Sequence, residues 1–341
     1  MKIDNSKPYY SEIDVVRCFG MILVVLGHSF PDASASAGIQ NLFWKYIFDV
    51  IYSFHMPLFF ALSGFVSSKF LRTNSERVSH IKKRVLRLLV PYFVWAIVYI
   101  PFKLILSKYT SAAIEISSLW KIIIGKNPYS GLWFLYALFL NDTIRAIAVN
   151  SKKRHHLLLF ISFVMLIIAK YIIIVEPIRW VFAYLFFYLI GCEIKLYYDI
   201  FTSIIKNKII IVLSIIGILI LVYFVDFESV FHGVTSILTA IMGIIVMFGI
   251  GIAQENNKVA AKIGRYGMDI YILSGVILVF LRISLFNILH LPYGIYVFVS
   301  TIIAFFLPIV ISKYFIRKVG LLNFLLLGNY NTIKQKSDNA Q

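Results

Sequence analysis

Charge is scarce in this chain. Only 14% of its 341 residues are Asp, Glu, Lys or Arg, where a soluble domain carries about 25%, so a water-soluble globular class is excluded. Acids are the scarcer sign, 16 against 33 bases, leaving a formal net charge of +17. Cysteine is nearly absent. Cys18 and Cys192 are the two present, too few for a disulfide framework or a thiolate zinc site, and both read as small buried apolar groups. No hydrophilic stretch is long enough for a separate soluble domain, and no internal repeat is evident. One domain is expected over residues 1–333, followed by a disordered polar tail at 334–341.

What the chain has instead is apolar length. Hydrophobic residues make up 60% of it, in windows of about 18 to 25 that can each cross a ~30 Å hydrocarbon layer at ~1.5 Å per residue. Ten spans are read, at 13–30, 53–70, 86–107, 131–149, 156–174, 178–197, 208–226, 231–252, 267–288 and 292–314. The expected fold is an all-α polytopic transmembrane helix bundle in the cytoplasmic membrane. Residues 44–49 and 116–124 read as short interfacial or re-entrant helices.

The positive charge tracks the spans rather than forming a nucleic-acid surface. Basic residues crowd after the second span (Lys82, Lys83, Arg84 and Arg87 among them), after the fourth, sixth and eighth, and at the chain end, while the connections after the first, seventh and ninth have essentially none. The connection after the third, with Lys108, Lys121 and Lys126, departs from this pattern. The positive-inside rule then puts both termini in the cytoplasm. No nucleic-acid partner is expected; the lipid bilayer is. The small residues at 33–37 read as a flexible outer loop rather than a cleavage site, because the preceding segment balances Lys2, Lys7 and Arg17 with Asp4, Glu12 and Asp14.

Two ionisable groups share the first span. Arg17 and His28 are eleven residues apart, which returns the side chain to nearly the same helix face about 16 Å along the axis. Each costs roughly 2.5–3.5 kcal/mol or more to insert into a membrane, so such groups line interiors and cavities. Asp14, three residues before Arg17, is placed to pair with it. In the second span His55 falls at the depth of His28, where two imidazoles can meet; its ordinary alternative is a bond to a neighbouring carbonyl. Ser63 and Gly64 permit close helix approach further along. At the entry of the third span, Arg84 and Arg87 are i, i+3 neighbours suited to forking around phosphate oxygens, though a basic cluster there also anchors a helix to anionic lipid. Asp142 and Arg145 read as an internal pair, Asp269 as an acid near a helix N-terminus.

Together these segments resemble a family. The Arg-x10-His first span, the F-H-M-P-L-F-F-x-L-S-G-F second span, the R-x-x-R-L-x-x-P opening of the third, and later segments at 132–135 and 263–271 are similar to the acyltransferase 3 family of bacterial membrane acyltransferases. The likeness is sharpest over residues 9–92. It implies acyl transfer, most often acetylation of hydroxyls on surface glycans, with acyl-coenzyme A (acetyl-coenzyme A first) as a cytoplasmic donor substrate and no permanently bound cofactor. It also implies that His28 and Arg17 are essential and that Arg84 and Arg87 touch the donor. Where family members often carry a His in the ninth span, this chain has Ser274.

The chemistry is consistent with that resemblance. O-acylation from a thioester needs a base for the acceptor hydroxyl, and an unperturbed His, with a pKa near ~6.5, suits the task. His28 is the first catalytic candidate, as general base or as nucleophile, and Arg17 and His55 are the further ones; Asp14, Ser63 and Asp269 are supporting candidates. A glycan or glycolipid is the expected acceptor, and any second transfer step would need a separate extracytoplasmic partner. A transporter with a His/Arg pathway is the competing class, though no pair of matched halves with broken helices is seen.

Overall fold

The computed structural model describes residues 9–31, 39, 41–105, 116–127, 130–168, 176–224 and 234–329. The outer loop expected at 33–37 and the tail expected at 334–341 lie outside the described residues. Among the described residues the regular structure is all helical.

Helix α1 runs Ser11–Ser29, with Glu12 and Asp14 in its first turn, where acids suit the helix dipole. It ends because Pro31 follows Phe30, and a residue before proline is pushed out of the α region; Phe30 is accordingly extended, at φ −66° and ψ 125°. Helices α2 (Leu42–Tyr52) and α3 (His55–Val66) are two parts of one run, interrupted at Ser53 and Phe54. Pro57 accounts for the interruption, since its ring clashes with the carbonyl four residues back and it lacks an N–H to bond there. The segment expected as a short interfacial helix at 44–49 is therefore the first half of a membrane-length run, Leu42–Val66.

A Thr73–Glu76 capping box starts α4 (Asn74–Arg84), which passes through a π turn at Val85–Leu89 into α5 (Val90–Ile105). A 3₁₀ stretch at Ile116–Ile124 follows, held by hydroxyl bonds from Tyr92 to the Ile122 carbonyl and from Tyr136 to the Ile123 carbonyl. Then come α6 (Trp133–Ala148), α7 (Lys152–Ile168), α8 (Glu176–Leu196), the short α9 (Tyr198–Ile205), α10 (Lys208–Phe224), α11 (Val234–Ala253) and α12 (Lys258–Gly264). The last helices are α13 (Gly267–Leu281), continued by a π segment at Arg282–Ile288, α14 (Tyr293–Tyr314) and α15 (Gly320–Leu327).

A helix lies at each of the ten expected segments. Six runs are long and apolar enough to cross a membrane, and α9 with α10, bent by 78°, makes a seventh. Of the remaining three, α1 carries Glu12, Asp14 and Arg17, and α6 and α7 are described over 16 and 17 residues.

Helix α1 packs against α2, α3, α11, α12, α13 and α14, placing it inside the bundle. The tightest crossing joins α3 to α8. A Cβ on Gly64 would lie 1.8 Å from the Tyr188 carbonyl oxygen, and one on Gly191 1.8 Å from that of Ala61. Only hydrogen fits at either place, so the Ser63-Gly64 pair does allow close approach, through the glycine.

Candidate active site

His28 sits on the last turn of α1. Its ring is exposed although Gly27 and Ser29 on either side are buried. The Tyr52 hydroxyl lies 3.4 Å from His28 Nδ1, and the two rings meet edge to face at 6.2 Å between centroids. His55, 3% exposed, opens α3 with Nδ1 2.9 Å from the Ile51 carbonyl. A carbonyl only accepts, so Nδ1 of His55 carries the proton and Nε2 is the bare nitrogen of the neutral ring. The Tyr52 and His55 ring centroids are 4.6 Å apart. The two imidazoles are thus linked through a tyrosine rather than meeting directly. Around them lie Phe30, Trp44 and Phe48, and Asp49 is held by Lys45 at 3.1 Å.

The other end of α1 is ionic. Arg17 Nη1 is 2.6 Å from Asp14 Oδ1, and the Tyr9 hydroxyl donates to Asp14 Oδ2 at 2.9 Å. Asp14 is buried while the Arg17 side chain keeps 32% of its surface exposed. At the same end of the bundle, Tyr10 packs edge-on against Phe65 of α3, and Lys195 Nζ lies 3.1 Å above the Tyr10 ring.

Arg84 and Arg87 do not share a face. The π turn at Val85–Leu89 winds about one residue wider than an α turn, and this rotation separates the two side chains. Arg84 turns inward: its Nε is 3.1 Å from Asp142 Oδ2, and its Nη2 donates to the Ser67 hydroxyl. Arg87 is exposed. Asp142, 1% exposed, also receives His80 Nε2 at 2.5 Å and the Tyr188 hydroxyl. Arg145, expected as the partner of Asp142, instead gives Nη2 to the Lys69 carbonyl at 2.7 Å.

Asp269 lies in the first turn of α13, behind the N-cap residue Tyr266. Its carboxylate takes both arms of Arg317, at 2.9 and 2.7 Å, and the Ser312 hydroxyl. The Arg317 guanidinium in turn covers the Tyr266 ring at 4.2 Å. Asp269 therefore ties α13 to the segment after α14 rather than capping its helix. Ser63 Oγ returns to the Phe59 carbonyl at 2.8 Å, a bond within its own helix. Cys18 and Cys192 are buried free thiols, and Ser274 is buried.

Sequence reasoning passed over Tyr52, His80, Tyr188 and Arg317. Tyr52 had a signal, standing three residues before His55. The others had none, since their partners are 62, 46 and 48 residues away.

A family model described as an acyltransferase domain matches residues 10–313, nearly the whole chain. The chain belongs to the acyltransferase 3 family. Its family and its several apolar helices are those of a membrane protein. The chain is also 39% identical over 83 residues to nodulation protein NolL of Sinorhizobium fredii. The shared stretch is 24% of this chain and 22% of that protein's length. No solved structure matches.

Proposed function

We propose that this acyltransferase moves an acetyl group from cytoplasmic acetyl-coenzyme A to a hydroxyl of a cell-surface or exported glycan. In this reading it crosses the cytoplasmic membrane ten times with both termini inside. One observation carries it: α1 is ionic at the end that holds Arg17 and Asp14 and neutral at the end that holds an exposed His28.

The residues suit that division. Coenzyme phosphates suit guanidinium groups that fork around their oxygens, and Arg17 and Arg87 present exposed surface at the ionic end. Arg84 serves from behind, holding the π turn to α6 through Asp142. The pantetheine arm then carries the thioester along the ~16 Å between Arg17 and His28. At His28 one ring nitrogen removes the acceptor proton, the hydroxyl oxygen bonds to the acyl carbon, the C–S bond breaks, and the thiolate takes up the proton. An acyl-imidazole route would use the same residue as nucleophile. Transfer to a more distant acceptor would fall to a separate extracytoplasmic partner.

The test compares surface-glycan O-acetyl content in the wild type, a deletion strain and a strain expressing His28→Ala. Loss in both mutants is expected; equal acetylation in all three, with the variant expressed, sinks the glycan assignment.

A further inference from the structure

We infer that Tyr52 is the positioning residue of His28: its phenol oxygen accepts the His28 Nδ1–H and thereby leaves Nε2 bare towards the acceptor hydroxyl. The inference rests on the role of His28 proposed above and adds which nitrogen works and what holds it there.

The Tyr52 ring is fixed on several sides. It stacks on Phe48 with 3.8 Å between centroids and 19° between planes, and it meets the His55 ring at 66°. On its α1 side it lies against Gly27, where a Cβ would come within 3.0 Å of the Tyr52 Cε2. The residue before His28 thus has no side chain where the ring needs the space. So seated, the phenol oxygen stands 3.4 Å from His28 Nδ1, at the long end of hydrogen-bond range, as catalytic bonds often are before substrate arrives.

The consequence is a tautomer. A neutral imidazole has one N–H, and a phenol oxygen can accept from it or donate to a bare nitrogen; Tyr52 takes the accepting part here, so the His28 proton sits on Nδ1. That is the form in which Nε2 is a base. His55 shows the same arrangement one step further in, its Nδ1–H spent on the Ile51 carbonyl. When His28 Nε2 takes the acceptor proton, both ring nitrogens carry hydrogen, and Tyr52 Oη continues to accept from Nδ1–H and stabilises the cation. The proton then leaves from Nε2 to the coenzyme thiolate. Tyr52 keeps its own proton throughout, so it is a positioning group and not a second base.

Tyr52→Phe tests this, because it keeps the ring and its stacking and removes only the oxygen. Membrane vesicles holding the native acceptor are supplied with acetyl-coenzyme A, and release of the free thiol is followed. The expected result is a roughly 10- to 100-fold fall in kcat, part of the ~10²–10⁴-fold that general base catalysis supplies. KM for acetyl-coenzyme A and the thermal midpoint stay unchanged, and the acid limb of the pH–rate profile moves to lower pH. His28→Ala is measured alongside. If His28→Ala is active, the role of His28 fails and the inference with it. If His28→Ala is inactive and Tyr52→Phe has wild-type kcat and pH profile, the positioning role alone is overturned. A Tyr52→Phe protein that melts early with an unmoved acid limb also overturns it, by making the oxygen merely structural.

Discussion

At the end of the bundle where α1 begins, cations are matched with acids: Arg17 with Asp14, Arg84 and His80 with Asp142, Arg317 with Asp269. Where α1 ends, Lys45 is paired with Asp49, Arg282 reaches the Pro31 carbonyl at 3.5 Å, and the His28 ring is left open. The contrast separates two uses of polar residues in an apolar bundle. Paired ions hold elements together: Asp142 ties α4 and α8 to α6, and Asp269 ties the end of α14 to α13. A group that is to exchange protons has to keep a face clear, and among these His28 does.

Breaking each end should therefore fail differently. The largest effect is expected at the open end, where His28→Ala lowers kcat by about 10²–10⁴-fold with the protein still folded, read as thiol release from acetyl-coenzyme A beside a thermal melt. Asp142→Asn should act on the fold instead. It leaves Arg84 and His80 facing a neutral amide, a loss of about 3 kcal/mol for a broken buried pair, seen as a lowered melting midpoint and partly recovered in the double variant with Arg84→Gln. Arg87→Ala sharpens the contrast on the substrate side: KM for acetyl-coenzyme A should rise by roughly 10-fold, the weight of one charge-assisted bond, with kcat little changed. Smallest is Lys69→Ala. Its pair with Glu76 is exposed, and such pairs contribute little; its carbonyl, which Arg145 uses, survives the change. Neither rate nor melt should move.

Much of the architecture is legible in the residues themselves. Apolar windows locate the helices, because a membrane interior demands internally bonded backbone along each crossing. The Asp14–Arg17 pair follows from helix spacing alone. The interruption before α3 was open to reading too, from Pro57. The winding between Arg84 and Arg87 had one sign, Pro91, which offers no N–H to the Arg87 carbonyl four residues back, but the i, i+3 spacing read straight through it. Nor could spacing show that Asp142 would leave its neighbour Arg145 for His80 and Arg84. Local periodicity has no access to which distant helix comes to lie alongside, and that is where these acids found their partners.

The crossing of α3 and α8 has a mechanical consequence. Backbones that meet at Gly64 and Gly191 with room only for hydrogen cannot slide or roll past one another, and close-packed interiors transmit strain. The two helices form a beam. One of its members begins at His55, beside Tyr52, and the other carries Tyr188, whose hydroxyl rests on Asp142. A push on Asp142 and a push on His55 therefore fall on one closely packed pair of helices.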